Sequence, residues 1–248
     1  MIQEGLGERT YRSFEPHGAR RVPFRVRVST TDLYLRADRD LSADALSAAR
    51  GARRAVEDHI ARFPGFETAL SPLDPPPNEE LPQIVTSMYA AGRAAGVGPM
   101  AAVAGAIAGC VGRELRASSS EVLVENGGDI YLDLQHEAFV GLFAGRSAFT
   151  GRLGFRVDPK RTPLSVCTSS GTVGPSLSFG RADAAVVFGP DPALADAVAT
   201  ALGNRIRETA DLEPAVRWAL GVPGVLGAVG VLGSALAARG EVEFIEMG

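Results

Sequence analysis

The chain has 248 residues, of which 46% are hydrophobic and 22% are charged. This balance is typical of globular proteins and excludes a disordered chain, which would be poorer in apolar residues. The formal net charge of −4 argues against nucleic acid as the main ligand, because neutralising phosphates requires clustered positive charge.

The first ten residues, MIQEGLGERT, are polar and no apolar segment follows them, so we expect no signal peptide and a cytoplasmic protein. Residues 94–112 and 219–238 are apolar, but they are rich in Ala and Gly and each contains a proline, which argues against membrane insertion. Cys110 and Cys167 match no metal or redox spacing and are expected to be reduced thiols. We expect residues 1–248 to form one domain.

Near the N-terminus, apolar and polar residues alternate on both sides of a turn at residues 29–31, which predicts a β-hairpin over residues 11–36. The same alternation predicts that the basic residues of the first strand share one solvated face. These residues are Arg20, Arg21, Arg25 and Arg27.

A helix is expected to begin with Ser42 as its N-cap and to end at Phe63-Pro64-Gly65. Residues 71–82, SPLDPPPNEELP, predict a proline-rich loop because proline removes backbone donors and interrupts regular structure. Further helices are expected where apolar residues recur at helical spacing, at 84–93, 100–115, 192–204 and 213–220.

The remaining segments read as strands. A pair of strands joined by a tight Asn126-Gly127-Gly128 turn is expected over 121–134. Other strands are expected at 139–144, 152–157, 164–168, 184–188, 225–231 and 241–245. Helices interspersed among hairpin-connected strands predict an α+β layered fold, with mostly antiparallel or mixed sheets flanked by helices, and not a Rossmann sheet.

The segment GVGPMAAVAGAIAGCVG, residues 96–112, has small side chains at almost every position. Small residues allow close packing against another helix or a sheet. They equally allow phosphates or a metal to approach the backbone at the start of the helix. Both interpretations remain open from the sequence.

Two further segments concentrate glycines and polar groups. In ENGGDIYL, an Asn-Gly turn explains Asn126 and Gly127, whereas Gly128 and Asp129 also suit a backbone edge that meets a cofactor. In CTSSGTVGPSLSFGRADA, residues 167–184, hydroxyls and glycines follow an apolar strand. Such loops bind oxyanions through amides and hydroxyls, but many of them are only turns.

Asp196 and Thr200 are spaced i, i+4 on a predicted helix, with Cβ atoms about 5 to 6 Å apart on one face. A carboxylate and a hydroxyl are suitable hard ligands for Mg²⁺. The alternative is that Asp196 complements the helix dipole in the first turn after Pro192, while Thr200 bonds back to a backbone carbonyl.

Together, these segments resemble the ApbE superfamily, whose characterised members transfer FMN from FAD to a protein threonine. GPMAAVAGAIAG, ENGGDIYL, CTSSG and ADAVAT are similar, in order, to its Gly/Ala-rich helix, GG-D turn, T-S-G loop and A-D-A-x-A-T helix. The closest resemblance is to the uncharacterised cytosolic UPF branch of that superfamily.

The resemblance implies that Asp196 and Thr200 hold Mg²⁺, with a main-chain carbonyl near Ala101 or Ala102 as a third ligand. It also implies that FAD or another flavin nucleotide contacts the start of the small-residue helix, the GG-D turn and the T-S-G loop. Those residues are Gly98, Ala101, Ala102, Asn126, Gly127, Gly128, Asp129, Thr168, Ser169, Ser170 and Gly171.

The chain departs from the family pattern in two places. The only lysine is Lys160, so the Lys-Gly pair of the family's small-residue helix is missing, and GPSLSFGRADA replaces a longer H-x-x-x-P-x-T-G stretch. We therefore carry two hypotheses. The first is a Mg²⁺-dependent enzyme acting on FAD or a related diphosphate, with Asp129 and Asp183 as candidate acid or base. The second is a non-catalytic small-molecule-binding or accessory protein in sulfur or amino-acid metabolism. A homo-oligomer is compatible with either.

Overall fold

The computed structural model describes residues 21–171 and 179–247. Its strands are Val22–Val28 (β1), Thr31–Ala37 (β2), Val122–Asn126 (β3), Asp129–Asp133 (β4), Ala138–Gly141 (β5), Leu153–Val157 (β6), Leu164–Ser169 (β7), Ala184–Gly189 (β8), Gly227–Leu232 (β9), Ala235–Gly240 (β10) and Phe244–Glu246 (β11). Its α-helices are Ser42–Arg62 (α1), Gly65–Thr68 (α2), Gln83–Ala95 (α3), Val103–Leu115 (α4), Pro192–Arg205 (α5) and Leu212–Leu220 (α6).

The strands form two antiparallel sheets. The larger has eight strands in the order β1-β2-β3-β4-β7-β8-β9-β10, and the smaller has three in the order β11-β6-β5. Helices α1, α4, α5 and α6 pack on one face of the large sheet, and α3 packs on α4 and α5. The predicted α+β layered fold is confirmed, with helices covering one face of the large sheet and the small sheet covering the other.

Alternation along the strands divides the interior into two apolar cores. In β4, Tyr131 points toward the helices, whereas Leu132 points toward the small sheet. The core on the helical side is rich in alanine, because α4 and α5 lie close to the strands and to each other. Each face of the large sheet is therefore buried, and its edges remain as the accessible parts of the ladder.

Several local predictions need correction. Ser42 is the first residue of α1 and not its N-cap; Leu41 occupies that position, and the Asp40 carboxylate accepts a hydrogen bond from the Ser42 amide at 2.8 Å. Strand β10 was not expected, because its sequence ALAARG lacks the β-branched residues typical of strands. Residues 11–20 of the expected hairpin lie outside the described residues, whereas β1 and β2 pair as predicted.

The predicted solvated arginine face is wrong for Arg21, which is only 4% exposed. Its guanidinium lies 3.2 Å from the carboxylate of the buried Glu121 and donates to the carbonyls of His136 and Glu137. Glu121 also accepts hydrogen bonds from the backbone amides of Gln135 and His136. A buried ion pair requires such additional hydrogen-bond partners. The Arg21–Glu121 pair and these partners connect the start of β1 to the segment between β4 and β5.

A buried histidine makes the helical layer sensitive to acid. The His59 Nε2 atom lies 3.0 Å from the Tyr89 hydroxyl, its Nδ1 atom has no hydrogen-bond partner among the described residues, and the rings of Phe63 and Phe66 pack against it. Burial, and secondarily the charge of Arg62, lowers the pKa of His59 below its ordinary value.

We expect the thermal midpoint to fall as the pH is lowered through about 6.5, the ordinary pKa of histidine, toward the lower folded-state pKa of His59. Over this interval the unfolded chain binds a proton that the folded chain excludes, so acid favours unfolding. Thermal unfolding of the wild type and of His59→Phe at pH 7.5, 6.5 and 5.5 tests this. Equal pH dependence in both proteins would contradict it.

Within the described residues, no single helix is long and apolar enough to cross a membrane. Gln83–Ala95 and Pro99–Leu115 pass that test only as a pair, and the chain bends by 106° between them.

Candidate functional site

The structure brings together the start of α4, the turn between β3 and β4, the end of β7 and the middle of α5. The Asn126 side-chain amide donates to the carbonyl of Ala104 at 3.1 Å. The Asp196 carboxylate accepts from the amide of Gly105 at 2.8 Å. A Cβ atom on Gly128 would lie 3.6 Å from the carbonyl oxygen of Thr168. The segments that the sequence singled out therefore surround one location.

Asp196 caps a helix to which it does not belong. The N-cap of α4 is Ala102, which has no side-chain acceptor, so the first amides of α4 need another partner. Asp196 supplies that partner from α5, at the Gly105 amide. The first turn of α5 contains no acidic residue, and Asp191 caps it by accepting from the amides of Ala193 and Leu194. The alternative that Asp196 complements the dipole of its own helix is therefore wrong.

Asp129 and Asp196 form a pair of buried carboxyls, 7% and 8% exposed. The Oδ1 atom of Asp129 has no hydrogen-bond partner among the described residues. Burial, followed by the neighbouring Asp196, raises the pKa of Asp129 well above its usual range, although hydrogen bonds to this carboxyl from the Cys167 thiol and the Thr168 amide act against this. Burial also raises the pKa of Asp196, to about 7, although the amides of Gly105 and Ala104 act against this.

Cys167 lies beside this carboxyl pair. Its thiol donates to the carbonyl of Pro192 at 3.6 Å, and burial followed by the charges of Asp129 and Asp196 raises its pKa. The site therefore holds three acidic groups, all of which favour their neutral forms, and their mutual repulsion opposes ionisation. The prediction that Cys167 is a reduced thiol agrees with this environment, because no second cysteine pairs with it.

The turn between β3 and β4 consists of Gly127 and Gly128, both with positive φ, +71° and +117°. Asn126 is the last residue of β3 and pairs with Asp129, so its expected place within the turn is wrong. A Cβ atom on Gly127 would meet nothing within 4 Å. The turn thus presents a bare backbone to open space, which suits the approach of a flat ligand.

The glycines of the small-residue helix serve packing. A Cβ atom on Gly105 would lie 2.2 Å from the Pro192 carbonyl oxygen, and one on Gly109 would lie 2.3 Å from the Pro192 ring. On Gly112 it would meet the Tyr131 ring at 2.2 Å. Gly98 precedes the helix, and a Cβ atom there would lie 1.8 Å from the carbonyl oxygen of Ala69. Close packing explains these four glycines without a ligand.

The hydroxyl segment is partly described. Thr168 and Ser169 end β7, and Ser170 and Gly171 follow. The Gly171 amide donates to the carbonyl of Ala182 at 2.9 Å, which closes this segment onto the chain before β8. Residues 172–178 of this segment lie outside the described residues.

Four other predicted site residues have these positions. Thr200 is half-buried on α5, and the expected bond from its hydroxyl to a carbonyl is not among the hydrogen bonds of the described residues. Ala101 is half-buried and Ala102 is buried, both in a 3₁₀ turn over Pro99–Ala102. The Asp183 carboxylate accepts from the Gly233 amide at 2.6 Å, so it stabilises the turn between β9 and β10.

Among residues 21–171 and 179–247, no group of three or more His, Cys, Asp or Glu side chains has the arrangement of a metal site. A cleft of about 280 Å³ lies between α3, α4 and the start of α5 and includes Arg113 and Asp191. None of the predicted site residues lines this cleft. The carboxyl pair and the bare turn therefore form the candidate site, separate from the cleft.

Sequence reasoning missed one residue of the candidate site and one residue at the start of α5. Cys167 contributes a third acidic group, and the signal for it was its position on β7 two residues before Ser169, on the same strand face. Asp191 caps α5, and the signal was an aspartate directly before Pro192, a typical pair of N-cap and first helical residue.

Comparisons with known proteins agree with this architecture. A family model described as AbpE bacteria matches residues 13–221. The UPF0280 protein of Methanocella arvoryzae is 48% identical over 192 residues, covering 77% of both chains. The UPF0280 protein of Methanoculleus marisnigri is 46% identical over 206 residues, 83% of this chain and 82% of the relative.

Among solved structures, the apo form of the flavinyl transferase ApbE from Pseudomonas stutzeri superposes with a TM-score of 0.54 and 13% identity. It covers 92% of this chain and 96% of its own. The flavin transferase ApbE from Vibrio cholerae has a TM-score of 0.51 and 10% identity over 89% and 96% of the two chains. At these identities, the likeness shows a shared fold.

Proposed function

The chain belongs to the family described as AbpE bacteria, and from this membership we propose that it is a flavin-transferase-like enzyme that binds FAD or a related nucleotide diphosphate together with Mg²⁺. The matched solved structures carry the names flavinyl transferase and flavin transferase. The shared fold supports a related ligand, and the residues of the candidate site support the metal.

One observation carries the proposal: the buried Oδ1 atom of Asp129 has no hydrogen-bond partner among the described residues, and it lies next to a second buried carboxyl, Asp196. Buried polar atoms in folded proteins normally have a partner, so an exception requires a reason. Burial raises both pKa values, and for Asp129 the neighbouring Asp196 raises the pKa further, so this location disfavours two carboxylates without an added positive charge. A divalent cation would supply it.

The residues fit Mg²⁺ in their chemistry. Asp129, Asp196 and Thr200 offer carboxylate and hydroxyl oxygens, and a main-chain carbonyl of Ala101 or Ala102 would complete a set of hard ligands. When bound, Mg²⁺ would polarise the pyrophosphate oxygens of the nucleotide as a Lewis acid.

The protein itself would position the nucleotide. The bare backbone of Gly127 and Gly128 allows a ring to approach without contact with side chains. The end of β7 and the following Ser170 and Gly171 would border the phosphates with amides and hydroxyls. Burial raises the pKa of Asp129 and so favours its protonated form in the absence of metal, whereas a bound cation would favour loss of that proton.

We expect Asp196→Asn to weaken Mg²⁺-dependent binding of FAD by about tenfold or more, because it removes a ligand charge. The amide oxygen can still accept from Gly105, so the fold should persist. Thr200→Val should act in the same direction but more weakly. Calorimetric titration of FAD with and without Mg²⁺ measures both effects.

Asp133→Asn is the matched control, because Asp133 lies at the other end of β4 and pairs with Arg116 at 2.8 Å on the surface. Its titration should equal that of the wild type. If FAD binds equally well with or without Mg²⁺, or if Asp196→Asn binds like Asp133→Asn, the metal site is refuted.

A second candidate function is a non-catalytic binding or accessory protein. Two observations favour it: Asp196 already has a structural role as the cap of α4, and the chain lacks the lysine of the family's small-residue helix. Under this alternative, Asp196→Asn should lower the thermal midpoint but leave every titration unchanged. Mass spectrometry of the protein purified without added ligand would reveal a retained flavin or another small molecule.

A further inference from the structure

Strand β10 forms one edge of the large sheet, and no described segment pairs with its outer side. Ala235 pairs with Leu232 across a two-residue turn, so this closing pair exchanges its hydrogen bonds with β9. In such a ladder, every second residue points its amide and carbonyl away from the partner strand. In β10, Leu236 and Ala238 therefore point theirs away from β9. No other described segment provides backbone partners for these groups.

The opposite edge is protected and β10 is not. In β1, Val28 closes a hairpin with Thr31, so Pro23, Arg25 and Arg27 occupy the outward positions. Proline has no amide hydrogen, and charged side chains discourage pairing with another strand. Strand β10 has no proline, and its only charge, Arg239, pairs with Glu213 on α6.

Both faces of β10 carry half-buried apolar side chains. Ala235 and Ala237 extend the core on the helical side, and Leu236 and Ala238 extend the core between the sheets. The core on the helical side and the core between the sheets therefore both reach this edge, and both are only partly covered there. A covering partner must continue the sheet and both layers at once.

We propose that β10 pairs with β10 of a second copy of this chain, in an antiparallel arrangement with its two-fold axis at Ala237. Leu236 then lies opposite Ala238 of the second copy, and these two outward-facing residues each donate and accept one hydrogen bond. Arg239 lies opposite Ala235, so no like charges meet. The edge is self-complementary, as a two-fold interface requires.

A second copy satisfies all these conditions with the same residues, because its sheet and its two apolar layers continue those of the first. A different protein would need an unpaired strand of matching length with apolar layers on both sides. This interface does not rest on the proposed ligand or metal, so its test is independent of theirs.

The expected result is a particle of twice the chain mass in size-exclusion chromatography with light scattering, across a concentration series. Ala238→Pro should weaken the dimer by about tenfold or more, because it removes an outward hydrogen-bond donor from each copy and leaves the β9 ladder intact. Arg27→Pro is the matched control, since it removes an outward donor at the other edge. It should leave the dimer unchanged.

Two oppositely charged variants at the two-fold axis distinguish loss of the dimer from misfolding. Ala237→Arg and Ala237→Glu should each be monomeric because like charges meet across the axis, and an equal mixture should dimerise. Circular dichroism confirms that each variant is folded. A monomeric wild type at the highest concentration, a dimer that persists in Ala238→Pro, or a mixture that stays monomeric would overturn the proposal.

Discussion

Replacing Gly105 with alanine is expected to destabilise the protein by about 1 to 3 kcal/mol or more, because the added methyl group has no space. Its Cβ atom would lie 2.2 Å from the Pro192 carbonyl oxygen and 2.8 Å from the Asp196 Cβ atom. The nearest of these atoms belongs to the α5 backbone and cannot rotate away, so α4 and α5 must separate. That separation would also weaken the bond from the Gly105 amide to Asp196.

Gly51→Ala is the matched control within a helix. Gly51 lies inside α1, and a Cβ atom there meets nothing within 4 Å. Alanine should stabilise this position by about 0.5 to 1 kcal/mol, because glycine loses more backbone entropy in a helix. Urea unfolding of both variants measures the contrast. If Gly105→Ala were as stable as Gly51→Ala, the tight contact between α4 and α5 would be wrong.

This contact shows why a small-residue helix could not be interpreted from sequence alone. Both interpretations, packing and ligand approach, require the same residues, and the choice depends on what lies opposite Gly105 and Gly109. In the structure, the start of α5 occupies that space. Pro192 is distant in sequence, so no local pattern pairs it with these glycines.

Most strands and helices followed from apolar periodicity, because alternating and helical patterns reflect which face is buried. Two elements were not predicted: the four-residue helix α2, and β10, whose alanines favour a helix by intrinsic propensity. It pairs with β9 through a two-residue turn at residues 233–234, and tertiary pairing outweighs its propensity. Its composition also leaves the edge without charged protection.

Within the candidate site, the i, i+4 spacing of Asp196 and Thr200 was readable, but the partner of Asp196 was not. The carboxylate reaches α4, a helix 91 residues earlier in the chain. Likewise, the Oδ1 atom of Asp129 has no hydrogen-bond partner among the described residues, and only the assembled fold determines that. Sequence patterns identified the chemical groups, whereas long-range packing determined their charge states.

The charge states of these carboxyls predict a second large effect, a pH-dependent change in stability in the variant Asp129→Asn. Burial raises the pKa of Asp129, and the pKa of Asp196 to about 7, so folding favours their protonated forms. The resulting stability is fully present below the unfolded pKa of about 3.9 and is lost as the pH rises through the folded values. The wild type should therefore lose stability through this pair as the pH rises from about 4 through the pKa of Asp196, about 7.

At pH 8, Asp129→Asn should raise the free energy of unfolding by about 1 to 3 kcal/mol, the usual cost of a buried polar group without a partner. The amide is neutral and can donate to Asp196. Below pH 4 the variant and the wild type should be equally stable, because both carboxyls are then protonated. Asp133→Asn is again the control, and at pH 8 it should cost at most about 1 kcal/mol through its surface ion pair.

Added Mg²⁺ should reduce or reverse the difference in stability between Asp129→Asn and the wild type at pH 8. A cation bound between the two carboxylates stabilises only the folded wild type, by about 2.7 kcal/mol at a concentration of one hundred times its dissociation constant. The gain of Asp129→Asn at pH 8 should therefore shrink or change sign when Mg²⁺ is added. Chemical unfolding at pH 4, 6 and 8, with and without Mg²⁺, follows both effects. A variant less stable than the wild type at pH 8 without metal would show that Asp129 is ionised and well paired, and the argument for a cation at this site would fail with it.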